Sequence, residues 1–306
     1  MSLDIVFDLA LCLIVISIAA SAVAGRDPFG GVALYVVYGL LLSVAWVRLG
    51  AIDVALAEAA IGAGLTGVLL MGAVICTGSQ EPVSTRARIL PLLICFCLAG
   101  ALAFTAFEIS QPSSGLRPLV LQNLNQSGAS NPVTAVLLNF RGWDTLLESV
   151  VLVVALVGAW SLTSDKRWGK RVGLRQHVGS EGVLAAFGRI LPPIGIVIGL
   201  YLVWNGSNGP GGAFQAGTVL AAVWLLSIMA GLTEPPPVSN NKLRWALIFG
   251  PLLFSGVGFY GLSHGAFLKF PPEDAKILIM LVELGLAGSI GVALALLVLG
   301  PPGKTR

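Results

Sequence analysis

Carboxylates set inside apolar sequence are the residues best placed to do chemistry in this chain. Apolar runs hold Asp53 and Glu58 in AIDVALAEAAIGAGLTG, Asp144 and Glu148 in NFRGWDTLLESVVL, and Glu283 in ILIMLVELGLAGSIGV. An ionised side chain in hydrocarbon costs about 3 kcal/mol or more, so such a residue is read as functional and a partner is sought for it. The chemistry open to a buried carboxylate is exchange of a proton or a cation. On a helix, Glu58 shares a face with Gly62 and Thr66, which lays a groove of small residues beneath it. Asp53 is nearer the membrane edge, where an N-capping role explains it equally well. Arg141, Asp144 and Glu148 fall at i, i+3 and i+7 and share one face. Two acids a turn apart repel unless Arg141 compensates; this suits ion exchange, and it suits a structural cluster at a helix entrance just as well. Glu283 is eight residues inside a run that begins at Ala275, with Arg189 as its natural counter-charge. Glu108 and His264 sit at span ends and read as interfacial.

The elements that position these acids must be membrane helices. Of 306 residues, 56% are apolar and 11% are charged, against about 25% charged in a soluble domain. Mean hydropathy is +0.89. So few charges cannot cover the surface of a soluble protein this long. With about 20 apolar residues needed per crossing, nine spans are predicted: about 3–24, 30–48, 51–77, 88–110, 143–163, 182–204, 213–232, 243–268 and 275–299. The fold class is all-α and polytopic. The first run has Asp4 and Asp8 and no basic residue before it, so it reads as an uncleaved span rather than a secretory signal.

Lys and Arg set the orientation. Twelve fall on one side of the nine spans, among them Lys166, Arg167, Lys170 and Arg171, and five on the other. The N-terminus is therefore expected outside and the C-terminus in the cytoplasm. Residues 111–133 are polar and rich in Pro, Ser and Asn, and read as an outer loop; residues 164–181 are basic and read as a cytoplasmic one. These divide the chain into three modules: a three-helix unit over 1–80, a two-helix unit over 81–165 and a four-helix unit over 182–306. No internal repeat is visible.

Several functions are excluded by the same reading. A net charge of +3 with no basic stripe argues against nucleic-acid binding. Cys12, Cys76, Cys95 and Cys97 lie in apolar runs without metal-ligand spacing, and are expected to be buried and inert. No phosphate-cradling loop and no HExxH or GxSxG motif occurs, so neither an enzyme nor a cofactor is implied. Residues 205–213 link spans six and seven, and their glycines suit a tight turn at the membrane boundary, with Gln215 able to bond the loop backbone.

Three stretches, taken in order, resemble one family. NGSNGPGGAFQAGTVLAA (205–222) is similar to the Gly-His-Asn-x-Pro-Gly-Gly-Gly-Phe segment of the B subunit of Mrp/Mnh multisubunit sodium/proton antiporters. IDVALAEAAIGAGLTG (52–67) resembles the Pro-Asp-Val-Ala-x-Thr-Glu segment in the C-terminal extension of the large Mrp A subunit, and NPVTAVLLNFRGWDTLLESVVLVVAL (131–156) the segment that follows it there. Energy-converting membrane-bound hydrogenases carry the same modules as small subunits. Matched positions are Asp53, Glu58, Arg141, Asp144, Glu148, Gly206, Pro210, Gly211, Gly212 and Phe214. The departures are Ile52, Ala57, Asn139, Leu147, Ser207 and Ala213, where the family has Pro, Thr, Asp, Gly, His and Gly.

The resemblance implies a fusion of an MbhD-like module (1–80), an MbhE-like module (81–165) and an MnhB/MrpB-like module (182–306). It implies an accessory subunit of a sodium/proton antiporter in a prokaryotic inner membrane. Expected partners are large antiporter-like subunits and small C-, E-, F- and G-type subunits, with sodium and protons as cargo and no cofactor. A membrane arm of a hydrogenase-type complex and a purely structural scaffold are the alternatives. The ion-path candidates are Asp53, Glu58, Arg141, Asp144, Glu148 and Glu283.

Overall fold

The computed structural model describes residues 3–25, 27–77, 85–108, 115–173 and 182–303, with side chains from 89 onward in the third stretch. Of the basic residues used for orientation, Arg26, Arg175, Lys304 and Arg306, and the side chains of Arg86 and Arg88, lie outside this description. Among the described residues the chain is helical, with isolated bridges but no strand. Eight helices among the described residues are long and apolar enough to cross a membrane, and a ninth, Ala213–Met229, is shorter.

The first module is α1 (Leu3–Ala24), α2 (Pro28–Arg48) and a composite α3. Asp27 starts α2 by accepting from the N–H groups of Phe29 (3.1 Å) and Gly30 (2.9 Å), with Pro28 in the first turn, where its missing N–H is harmless. Arg48 bridges back to Asp8 at 2.8 Å and Asp4 at 3.3 Å, pinning α1 to α2. Helix α3 runs Ile52–Ala57, widens to a π segment over Glu58–Leu65, and returns to α over Thr66–Thr77. Thr66 Oγ1 donates to the Ile61 carbonyl five residues back (2.9 Å), a spacing that belongs to the wider turn.

Helix α4 (Thr85–Glu108) is exposed along its described side chains and packs little on the rest of the chain. The polar loop expected over 111–133 is in part helical: α5 (Arg117–Asn123) and a 3₁₀ turn, Leu124–Gln126, occupy it. Then α6 starts at Pro132–Thr134, runs as a second π segment over Ala135–Phe140 and breaks at Arg141, which has φ −130° and ψ 37°. Helix α7 follows over Gly142–Ser161.

Helices α8 (Val183–Gly206), α9 (Ala213–Met229), α10 (Asn241–Leu262) and α11 (Ala275–Leu299) form the packed bundle. Helix α11 is at its centre and is buried over most of its length, with Ile279, Val282, Leu286 and Leu296 fully enclosed. Small residues let its neighbours in: a Cβ at Gly217 would lie 2.7 Å from Ile290 Cγ2, and one at Gly285 2.7 Å from Leu253 Cδ2. Gly288, by contrast, faces open space. The end opposite the glycine loop is tied by backbone: Val238 N–H donates to the Lys170 carbonyl (3.1 Å), Gly303 N–H to the Arg171 carbonyl (2.9 Å), and Arg171 pairs with Glu234.

The cysteines correct an expectation. Cys12, Cys76, Cys95 and Cys97 are all exposed on the surface of the chain rather than buried. Hydropathy alone does not separate the face of a membrane helix that meets its own chain from the face that meets lipid or another subunit.

Candidate ion site at the junction of three segments

The loop between α8 and α9 is a packed structure, not a plain outer turn. Gly206, Ser207, Gly211, Gly212 and Ala213 are buried, while Pro210 and Phe214 are half-buried, with Phe214 against the main core. Gly211 (φ +155°) and Gly212 (φ +122°) hold a conformation that side chains resist. Gly212 N–H donates to the Leu202 carbonyl (3.0 Å), and the Asn205 amide to the Pro210 carbonyl (2.8 Å), so the loop closes onto the end of α8. The 17-residue α9 starts directly from this closed loop.

Asp53 reaches the loop from the first module. Its Oδ1 accepts from the Gly211 N–H (3.0 Å) and its Oδ2 from the Asn131 amide (3.3 Å). It does not cap its own helix, whose N-cap is Ala51. Gln215 donates at 3.4 Å to the Asp53 carbonyl rather than to the loop. Asn131 is the second clamp. It caps α6 through Val133 N–H (3.0 Å) and donates to the Gly209 carbonyl (2.9 Å). Thr134 Oγ1 donates to the Gly206 carbonyl at 2.6 Å, and the N–H groups of Ser130 and Asn131 both reach the Ser207 carbonyl. Asn131 and Thr134 are among the few buried polar residues of the fold. Sequence reading singles out neither; the signal available was Asn131-Pro132, a cap-then-proline pair inside a loop.

Glu283 comes to the same place from α11. It is 2% exposed, and its Oε2 has no hydrogen-bond partner. A Cβ at Gly206 would stand 2.9 Å from its Oε1, and one at Gly212 would stand 3.4 Å away. The carboxylate therefore rests against the two glycines that close the loop. Arg189 is not its counter-charge. It lies 17 residues before Gly206 on α8, roughly 25 Å along the axis at 1.5 Å per residue. Glu58 sits five residues beyond Asp53 and is half-buried, with its carboxylate folded over Gly62, so that a Cβ there would make the Glu58 side chain shift. Their contact agrees with the i, i+4 spacing, and both lie within the π segment.

The Arg141, Asp144 and Glu148 face does not join this cluster. Arg141 stands in the break before α7 and pairs with Asp144 at 2.5 Å; both are more than half exposed. Glu148 is exposed and makes no ion pair among the described residues. His264 lies just past α10 with its Nδ1 3.3 Å from the Tyr260 carbonyl, and Glu108 ends α4.

Two family models match the chain, and they fall on the two sides of this junction. The MbhD model, which describes the D-type subunit of MBH, matches residues 13–78, and a domain related to the MnhB subunit of Na+/H+ antiporters matches residues 183–301. The chain thus joins a segment similar to MbhD to a segment similar to the MnhB-related domain. Asp53 and Glu58 belong to the MbhD segment, the glycine loop and Glu283 to the MnhB segment, and Asn131 and Thr134 to the stretch between them. Other proteins and solved complexes align with much of the chain. A probable K(+)/H(+) antiporter A/B subunit of Rhizobium meliloti is 23% identical over 76% of this chain, which spans 28% of that protein. An uncharacterised protein of Methanocaldococcus jannaschii is 27% identical over 60% of this chain and 74% of its own length. In fold, the Mrp complex of Dietzia superposes with a TM-score of 0.75 at 22% identity, over 97% of this chain and 35% of that one. An archaeal membrane-bound sulfane sulfur reductase complex gives 0.54 at 25% identity, over 69% of this chain and 96% of that one.

The Gly206 contacts carry a prediction for the MnhB segment. Gly206→Ala places a methyl 2.8 Å from the Gly212 backbone and 2.9 Å from the Glu283 carboxylate. Overpacking of this kind costs about 2 kcal/mol. The purified protein should melt several degrees lower, while Gly288→Ala, which faces open space, should leave the melting temperature unchanged.

Proposed function

We propose that this chain is an accessory membrane subunit of a cation/proton antiporter complex. One observation carries the reading: acids of the MbhD and MnhB segments, Asp53 and Glu283, meet at one loop that both segments hold in place. Neither segment completes that arrangement alone, which supports a fused subunit working as one unit. Asp53, Glu58 and Glu283 are the proposed ion-path acids. Arg141, Asp144 and Glu148 form a separate exposed face suited to contact with a neighbouring subunit. Residues 81–165 serve as a two-helix module between the other two.

The proposed setting is the inner membrane of a prokaryote, with large antiporter-like subunits and small C-, E-, F- and G-type subunits as partners, and sodium as the cation. The proposed orientation places the glycine loop outside and the C-terminus inside. A reporter fused after Arg306 should then read cytoplasmic, and an external reading would reverse the topology. Expressed alone, this chain should not restore sodium tolerance to an antiporter-deficient host, whereas the complete complex should. Restoration by the chain alone would remove the accessory-subunit reading.

The likeness to the sulfane sulfur reductase complex supports a second reading, an ion-translocating arm of a respiratory or hydrogenase-type complex. The subunit composition of the complex purified through this chain separates them: iron–sulfur proteins favour the arm, antiporter proteins alone the antiporter.

A further inference from the structure

Two buried oxygens at the junction have no partner. Glu283 Oε2 is one, and the hydroxyl of Ser207, a residue 1% exposed in the adjoining turn, is the other. Asp53 binds the Gly211 N–H at 3.0 Å, and Glu283 Oε1 stands against the next residue, Gly212, so both carboxylates reach the same turn of the loop. The groups that do contact Asp53, the Gly211 N–H and the Asn131 amide, are neutral donors and cancel neither charge. No described ion pair involves either acid. Two carboxylates cannot remain ionised side by side in a low-dielectric setting without a positive charge between them. Each Asp53 oxygen keeps a lone pair beyond the hydrogen bond it accepts, and Ser207 Oγ has two. The available donors are thus all hard oxygens, the kind that suit alkali and alkaline-earth cations rather than soft metals. A divalent ion favours more carboxylates and a wider ligand set; among the described residues no group of three acidic, His or Cys ligands occurs.

We propose that Glu283, Asp53 and Ser207 hold one dehydrated alkali cation at the junction of the MbhD and MnhB segments. The site deepens the antiporter reading, on which it rests, by naming where the cargo cation pauses. Bound there, the cation neutralises one of the two negative charges and ties α3 and α11 to the glycine loop. The Ser207 hydroxyl supplies a neutral ligand, so the site holds the cation with oxygen alone.

The test is the thermal stability of the purified complex in NaCl, KCl or choline chloride at equal ionic strength. A ligand that binds only the folded state raises the melting temperature, here by about 3 °C at saturating salt for NaCl, KCl or both over choline. The salt that gives the larger shift identifies the cation. Glu283→Gln, which keeps shape, and Ser207→Ala, which removes only the hydroxyl, should each abolish the shift while melting as the parent does in choline. Equal melting of the parent in all three salts overturns the site and assigns Glu283 as a protonated acid. An unchanged alkali shift in Glu283→Gln overturns it as well. Cation-driven flux measured on the same preparation keeps the two claims apart: transport without an alkali-specific shift removes the site and leaves the antiporter reading standing.

Discussion

Asp53→Ala is expected to destabilise the folded chain by about 2 kcal/mol, because the buried Gly211 N–H loses its acceptor, a loss that costs roughly 1–3 kcal/mol. The Gly211 N–H and the Asn131 amide would both lose their carboxylate. Gly211 is buried and its N–H would be left without that acceptor, whereas the Asn131 amide keeps the Gly209 carbonyl at 2.9 Å and has the Gly206 carbonyl within reach at 3.5 Å. The loop would also lose its link to the first module, since Gln215 reaches only a backbone oxygen there at 3.4 Å. Asp53→Asn keeps one acceptor oxygen and should recover about half of the loss. The measurement is the melting temperature of the purified complex, followed by tryptophan fluorescence. Equal melting of parent and Asp53→Ala would mean that the clamp contributes nothing.

The sequence makes the spans legible because a run of about twenty apolar residues has few structural alternatives. The acids are legible for the complementary reason, since each interrupts such a run. Their partners are not. Asp53 bonds an amide 158 positions away, and nothing local in AIDVALAEAAIGAGLTG distinguishes that role from a helix cap. The π turns at Glu58–Leu65 and Ala135–Phe140 have no propensity signature, because the extra residue is accommodated by packing against neighbouring helices. For Arg189 the relevant signal was depth: it is near the start of α8, whereas Glu283 meets that helix at its end. Charge complementarity alone points to the wrong partner. The short Pro-Gly-Gly loop reads as a turn from composition, and only its burial reveals it as the platform on which three segments meet.

Glu58→Gln is expected to lower cation-driven proton flux at least about tenfold, with the complex still assembled. Loss of a proton-transferring side chain typically costs a factor of about 10²–10⁴ where transfer limits the rate, and the amide keeps the size of the carboxylate and its place over Gly62. Glu58 opens the π segment, whose wider turn is a common feature of functional sites in helices. No cationic side chain pairs with it among the described residues. The most direct measurement is sodium- or potassium-driven proton flux in inverted vesicles carrying the complete complex, with assembly checked on a native gel. The account predicts an intact complex with flux reduced at least tenfold; an intact Glu58→Gln complex with parental flux would contradict it and leave Glu58 a packing residue.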